Sequence, residues 1–278
     1  MNLRKVLFWV FLLWFGMTSA PAHGWEAGST YNFSIHNQIP NEKLTRHFAF
    51  GFDSKFLSKY MWRGIPASQG AVWQPSAQVE YYGVGFNVWG NFVLDNEPNQ
   101  GQFNEVDLTL YFHREFLQTN LHLRAWVYAA LYPNGNPRSL DFGTGSLEGD
   151  LMLSYYWGPL FWAGHISARI IDAPGALWWD FTMGFQHKLP LKFKILTSAM
   201  LGMGDGRFNR EHIAPVGTQP NLLEFTLSFP WQPLRGFQVN PNMHVDVILP
   251  EALRSAMAQP TNVWGGINFS YSLPPRRR

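Results

Sequence analysis

Charged side chains recur at every second position in several parts of the chain. Glu105 and Asp107 form one such pair, and Glu148 and Asp150 form another. In a β-strand this spacing places both members of a pair on one face, because successive side chains point to opposite faces. An unpaired charge on a face enclosed in a dry core would cost several kcal/mol. The spacing therefore predicts faces that line a hydrated channel or a salt-bridged interior.

The side chains expected to line this interior all lie on the polar faces of alternating runs. They are Arg63, Glu80, Glu105, Asp107, His122, Arg124, Glu148, Asp150, His165, Arg169, Asp180, Glu224, His244 and Asp246. Carboxylates outnumber arginines in this set, and a carboxylate-lined pore favours cations. We therefore predict a narrow, weakly cation-preferring pore for small solutes or ions. In the alternative, Arg124 and Arg169 pair with acids across strands and the interior is mostly closed.

Runs of alternating apolar and polar residues define the elements that position these side chains. About twelve runs are bounded by Gly, Pro, Asn or Asp, near residues 46–62, 72–82, 83–93, 103–113, 118–130, 146–157, 159–170, 177–187, 190–202, 220–229, 237–248 and 261–273. Tight links alternate with longer polar segments along the chain. These features are typical of outer-membrane barrels. The sequence therefore predicts an all-β fold, a closed antiparallel transmembrane β-barrel of about 12 strands with short periplasmic turns and longer extracellular loops.

A water-soluble β-sandwich or lipocalin would show the same alternation, with its apolar faces in a dry core. Two features favour the barrel. The runs are longer than the roughly five or six residues typical of a sandwich strand, and aromatic residues recur near the ends of runs, as in an interfacial girdle. The residues expected in this girdle are Tyr60, Trp62, Trp157, Trp162, Trp178, Trp179 and Tyr271.

The N-terminal residues have the features of a secretory signal. Arg4 and Lys5 precede an apolar core that is too short to span a membrane as a helix, and a small-residue run ends at Ala22. We therefore expect a cleaved signal peptide over residues 1–22, a periplasmic N-terminal segment over 23–45, a barrel over 46–273 and a basic tail over 274–278.

The composition excludes several classes of function. The chain contains no cysteine, which excludes a disulfide framework and a thiolate metal site. The formal net charge of +2 gives no electrostatic argument for a nucleic-acid partner. The histidines show none of the spacings that build a metal site, and the "GMGDG" segment lacks the Lys-Ser/Thr of a phosphate loop. We predict no cofactor and no metal.

The stretch from Ser58 to Phe92 resembles the opening of the Gcw_chp family of proteobacterial porins. The shared residues are Ser58, Tyr60, Arg63, Gly64, Gln74, Pro75, Gly83, Trp89 and Gly90. The resemblance implies an outer-membrane barrel of about this size. The last run is similar to the C-terminal strand signal of outer-membrane proteins, with Gly266 followed by Phe269 and Tyr271. That similarity implies recognition by the barrel-assembly machinery of a Gram-negative bacterium, with outer-membrane lipids as the surroundings.

The segment "SKYMWRGI" continues an alternation of aromatic residues that begins at Phe48. We therefore expect it to form the upper part of the first strand, which Gly64 and Pro66 end. In this interpretation Arg63 is a cation at the mouth of the lumen, paired to a carboxylate such as Glu80 on the next strand.

Two alternatives come from other classes of function. His165 and Ser167 faintly resemble the His-x-Ser core of the outer-membrane phospholipase family, which would imply a hydrolase, although alternation turns both residues toward the lumen. In the other alternative the barrel is structural or adhesive, and its long loops "NREHIAPVGTQP" and "NGNPRSLDFGTG" bind a partner.

Overall fold

A computed structural model describes residues 48–95, 100–116, 120–133 and 145–273. The fifteen strands within these ranges are β1 (Phe48–Leu57), β2 (Tyr60–Trp62), β3 (Ile65–Ser68), β4 (Val72–Tyr81), β5 (Val84–Val93), β6 (Phe103–Phe116), β7 (Leu121–Leu131), β8 (Ser146–Trp157), β9 (Leu160–Ile171), β10 (Leu177–Lys188), β11 (Lys194–Gly204), β12 (Gln219–Ser228), β13 (Trp231–Leu234), β14 (Phe237–Ile248) and β15 (Thr261–Leu273). The two described α-helices are α1 (Gly206–His212) and α2 (Glu251–Ala256), and a 3₁₀ turn covers Pro190–Lys192.

Twelve of these strands close into one antiparallel barrel. The order is β12-β11-β10-β9-β8-β7-β6-β5-β4-β1-β15-β14, and a further pairing of β12 with β14 closes the ring. The short strand β13 adds to the edge of β14, and β2 and β3 form a separate two-stranded sheet. The predicted closed barrel of about twelve strands is therefore confirmed.

The two faces of the wall have opposite character. On β9, Ile166 is 45% exposed, whereas its neighbours His165 and Ser167 are 6% and 1% exposed. On β7, Val127 is 42% exposed between the buried Trp126 and Tyr128. A water-soluble sandwich would bury the apolar face and expose the polar one, so this pattern excludes that alternative. The apolar exterior is the surface that a barrel presents to hydrocarbon.

The connections differ in length at the two ends of the barrel, as predicted. At the short-turn end, Tyr82 and Gly83 alone join β4 to β5, and both have positive φ angles, 51° and 82°. Two consecutive residues of this kind make the tight turn whose twist suits a β-hairpin. At the long-loop end, α1 lies between β11 and β12, and α2 lies between β14 and β15.

The first predicted strand is wrong beyond Leu57. The structure ends β1 there and places Tyr60, Met61 and Trp62 in the hairpin β2–β3, which turns at Arg63 and Gly64 with φ angles of 52° and 79°. Tyr60 and Met61 are 8% and 2% exposed, because the hairpin folds into the barrel interior. The aromatic alternation continues across the break, which is why the sequence pattern did not reveal it.

Some expectations lie outside the described residues. These are the signal peptide, the N-terminal segment, the basic tail and most of the loop "NGNPRSLDFGTG". Within the described ranges, neither α-helix has the length and hydropathy that a membrane crossing requires.

We predict that Gly266→Val destabilises the barrel. Gly266 pairs with Leu57 across β15 and β1, and a Cβ at this position would collide with the backbone oxygen of Phe56. Overpacking of this kind costs about 1–3 kcal/mol, so the urea midpoint of unfolding should fall. Gly164→Ala is the matched control, because no atom lies within 4 Å of a Cβ at that position. Equal midpoints for the two variants would contradict the prediction.

Candidate functional site: the barrel interior

The predicted interior residues all lie inside the barrel. Those on strands occupy inward-facing positions: Glu80 on β4, Glu105 and Asp107 on β6, His122 and Arg124 on β7, Glu148 and Asp150 on β8, His165 and Arg169 on β9, Asp180 on β10, Glu224 on β12, and His244 and Asp246 on β14. Arg63 reaches the interior from the hairpin turn and is 3% exposed. Whether these side chains line a conducting path remains a prediction.

Arg63 is bound near the centre of the interior, and the expected pair with Glu80 is wrong. Its Nη1 donates to Oε2 of Glu148 at 3.1 Å, and its Nη2 donates to Oε1 of Glu148 and to Oγ of Ser167 at 2.8 Å. Glu80 lies one residue pair from the Tyr82–Gly83 turn, at the other end of the barrel. A continuous first strand would have kept Arg63 in the wall next to β4. The hairpin instead places Arg63 inside the barrel.

Glu148 is the shared partner of several groups. Its side chain is fully buried. Besides Arg63, it lies 3.1 Å from Nε of Arg169 and accepts a hydrogen bond of 3.1 Å from the hydroxyl of Tyr128. A buried carboxylate is stable only when its charge and lone pairs are satisfied in this way. Glu148 therefore anchors the hairpin to β7, β8 and β9.

His165 lies between two carboxylates. Its Nδ1 is 2.8 Å from Oδ2 of Asp180 and its Nε2 is 3.0 Å from Oδ1 of Asp150. The ring stacks on Trp126, with centroids 5.3 Å apart. Both ring nitrogens are thus engaged, and the Ser167 hydroxyl accepts from Arg63. A hydrolytic serine needs a histidine base within hydrogen-bond reach, so this geometry gives no support to the phospholipase-like alternative.

Three of the seven expected girdle residues lie in the interior and not at the lipid interface. Tyr60 packs on Trp89 with centroids 5.6 Å apart. Trp62 lies between cations, with Cζ of Arg63 at 4.8 Å and Cζ of Arg169 at 5.2 Å from its ring. Trp178 is 1% exposed, and its indole donates to Asp180 at 3.0 Å. The three rings pack against aromatic, cationic and carboxylate side chains inside, which the aromatic pattern alone did not indicate.

The other four expected girdle residues lie on the outer face. Trp157 and Tyr271 are 65% and 42% exposed, close to the short-turn end. Trp162 and Trp179 occupy outward positions on β9 and β10 and are half-buried. Their role at a membrane interface remains a prediction.

An apolar cluster packs at the long-loop end of the barrel. Phe208 of α1, Leu253 of α2, Trp178, Leu222 and Ile248 are all at most 1% exposed and pack together. The hairpin joins the cluster because the ring of Trp62 lies 5.6 Å from that of Phe208. The segment that the adhesive alternative assigned to partner binding thus begins with a helix folded inward.

A row of amides joins the hairpin to the adjacent wall of β4, β5 and β6, and sequence reasoning missed it. Gln74 donates to Asn91 at 2.9 Å, Asn91 donates to Asn104 at 2.7 Å, and Asn104 donates to Ser68 of β3 at 3.2 Å. Gln74 and Asn91 share the inward period of their strands, so the period that identified the charged residues could have found them. Asn104 lies at a register shift between β5 and β6 and breaks the period. Phe208, in contrast, lies in a loop and gave no periodic signal.

A second charged group occupies the wall between β12 and β15. Nδ1 of His244 lies 3.0 Å from Oε1 of Glu224, and the His244 ring stacks on Trp264 with centroids 3.9 Å apart. The Trp264 indole donates to Oδ2 of Asp246 at 3.2 Å. His244 is thus paired with an acid across strands, as Arg169 is with Glu148. The expected pairing of Arg124 stays a prediction.

The interior is more accessible toward the short-turn end. Ser198, Thr226, Asn240 and Asn242 face inward there and are only half-buried. Oδ1 of Asn240 and of Asn242 have no hydrogen-bond partner in the protein. Buried amide oxygens require a partner, and water can satisfy them in a polar cavity. This half of the lumen therefore has the chemistry of a hydrated space.

We predict that acid weakens the packing of α1 against the hairpin. Burial, and then the positive charge of Arg169 and Arg63, lower the pKa of the His212 imidazole from 6.5 to about 4, although Asp172 and Glu148 act against the shift. Between these two values the unfolded chain binds more protons than the folded chain, so the free energy of unfolding falls as the pH decreases. The urea midpoint measured across this pH window tests the direction.

The variant His212→Asn should flatten this pH dependence, because it removes the group that titrates. His187→Asn, at the short-turn end, is the control and should keep the slope of the wild type. A slope unchanged in His212→Asn would contradict the assignment.

Comparisons with known proteins support the fold. No protein-family model matches the chain, so the resemblance to the Gcw_chp family remains a prediction from the residues quoted above. No curated protein is significantly similar to it.

Two solved structures of channel proteins are similar to the chain. An outer membrane channel from Pseudomonas putida F1 has 12% sequence identity and a TM-score of 0.51, over 84% of this chain and 99% of that chain. The KdgM porin has 8% identity and a TM-score of 0.48, over 80% of this chain and 99% of that chain. At such low identities the likeness concerns the fold alone. The chain has the barrel fold of the Pseudomonas channel.

Proposed function

We propose that this protein is an outer-membrane, porin-like channel for passive diffusion of small solutes or ions, narrowed from one side by the hairpin β2–β3. The observation that carries the proposal is the closed barrel with an apolar exterior and a charged interior. An apolar exterior suits a lipid bilayer, and a charged interior in such a wall suits a hydrated path. The short turns would face the periplasm and the long loops the cell exterior.

The path would be narrow. A twelve-stranded wall encloses less space than the sixteen or more strands of an open porin, and the hairpin occupies part of that space. Its position is set by Arg63 on Glu148 and by the amide row that ends at Ser68. These contacts favour small solutes over large ones.

The charge of the interior favours cations. Of the fourteen predicted interior residues, eight are carboxylic acids, three are arginines and three are histidines. An arginine or protonated histidine that pairs with an acid cancels the contribution of that acid to the electrostatic potential of the lumen. Because the carboxylates outnumber the bases, their excess would leave the lumen net negative, which attracts cations.

We predict that Arg63→Ala increases single-channel conductance in planar bilayers. Removing one partner of a buried ion pair costs about 3–5 kcal/mol of stability. Here the ion pair of Arg63 with Glu148 holds the hairpin in the lumen, so its loss should release the hairpin. Arg63→Lys should lie between wild type and Arg63→Ala, because an ammonium cannot make both bonds to Glu148.

Arg210→Ala, which truncates an exposed arginine of α1 whose Nε lies 3.8 Å from Oε1 of the exposed Glu211, is the control and should conduct as the wild type does. Ser167→Ala removes a single hydrogen bond to Arg63 and supplies a milder change if Arg63→Ala does not fold. The proposal is contradicted if both Arg63→Lys and Ser167→Ala fold and conduct as the wild type does.

We predict that, in a salt gradient, the wild-type channel shows a reversal potential whose sign indicates cation selectivity. Glu80→Gln should reduce it, because it removes a carboxylate that faces the lumen beside the short-turn end. Glu251→Gln, on the exposed surface of α2, is the matched control. If the sign of the wild-type reversal potential indicates anion selectivity, the cation preference is refuted.

A further inference from the structure

Two neighbouring turns at the short-turn end carry the same three-residue pattern. Pro190, Leu191 and Lys192 form the turn between β10 and β11, and Pro233, Leu234 and Arg235 lie in the turn before β14. In both turns a leucine precedes a basic residue. Leu191 is 82% exposed and Leu234 is 66% exposed, so the two leucines project from the same rim of the barrel.

The two turns are held together. Nζ of Lys192 donates to the carbonyl oxygen of Pro233 at 3.2 Å. Phe193 and Trp231 stack in parallel, with ring centroids 5.3 Å apart, and pair as a β-bridge. Both rings remain more than a third exposed. They connect the projecting leucines with the apolar outer face of the barrel.

The backbone of the first turn is strained. Leu191 and Lys192 have φ angles of 58° and 64°, and neither residue is a glycine. A non-glycine residue in this region costs of order 1 kcal/mol or more, and such strain is found preferentially at functional sites. The strained conformation presents Leu191 to the outside, where it is 82% exposed and buries little apolar surface to offset the strain.

The charge around this rim is positive. Lys188 and Lys194 lie directly opposite each other across β10 and β11, an arrangement of like charges that is unfavourable by itself. The stretches 181–204 and 225–245, which build this part of the barrel, contain no aspartate or glutamate.

We propose that this leucine and basic rim binds the phosphate headgroups of anionic phospholipids in the leaflet at the short-turn end. The inference rests on the proposed function insofar as the barrel spans a membrane. The basic side chains of Lys192 and Arg235 contact the phosphate, and the two leucines enter the boundary between headgroups and acyl chains. Amphipathic surfaces bind membranes in this way, through apolar contact combined with attraction to anionic lipid.

The test is the retention of phosphatidylglycerol. The full chain is reconstituted in nanodiscs of phosphatidylcholine and phosphatidylglycerol in equal parts, extracted in mild detergent, and its bound lipids are counted by native mass spectrometry. We expect the wild type to retain phosphatidylglycerol in preference to phosphatidylcholine. The double variant Lys192→Gln and Arg235→Gln should lose roughly twenty-five-fold in this affinity, at about fivefold for each base near an anionic surface.

The double variant Arg210→Gln and Arg254→Gln is the matched control, because it removes the same charge from exposed positions at the other end. Leu191→Ser with Leu234→Ser tests the apolar contribution and should also weaken retention. The proposal is overturned if the Lys192 and Arg235 variant retains phosphatidylglycerol as the wild type does, or if the control loses it equally. Conductance of the same samples is independent: a barrel that selects the lipid without conducting refutes the channel and leaves the rim site standing.

Discussion

Closure of the backbone hydrogen-bond ladder is the constraint on which the rest of the structure depends. In hydrocarbon every peptide donor and acceptor needs a partner, and an open sheet edge cannot be tolerated. The pairing of β12 with β14 completes the ring and removes the last edges of the wall. Once the ring is closed, the period of two in each strand divides the side chains into an outer apolar set and an inner polar set.

The polar interior creates a second requirement, because enclosed charges need partners. Part of that need is met within the wall, as between Glu224 and His244. The hairpin meets another part, since Arg63 brings a second cation to Glu148, beside the Nε of Arg169 that lies 3.1 Å from it. The hairpin is therefore at once an electrostatic partner of the wall and an obstruction of the bore. In the proposed channel, conductance depends on how firmly that contact holds.

The barrel could be predicted from the sequence because its signal is repeated in every strand. Eleven of the twelve predicted runs coincide with barrel strands to within a few residues, and each placed its charged residues on the inward face. The same local signal failed at Tyr60, Trp62 and Arg63. Their alternation fits a strand, and only a distant partner, Glu148, draws them inward. The packing of Phe208 and Leu253 at the long-loop end likewise depends on contacts between loops that no local period encodes.

Water accessibility of the lumen during conduction tests the central claim most directly. The chain has no cysteine, so a single cysteine can be introduced at the inward position Asn242 or at the adjacent outward position Met243 and exposed to a charged, thiol-reactive reagent in a planar bilayer. If the interior is the conducting path, the reagent reduces the current through Asn242→Cys and leaves that through Met243→Cys unchanged. A current that is insensitive at both positions, or sensitive only at Met243, would contradict the account.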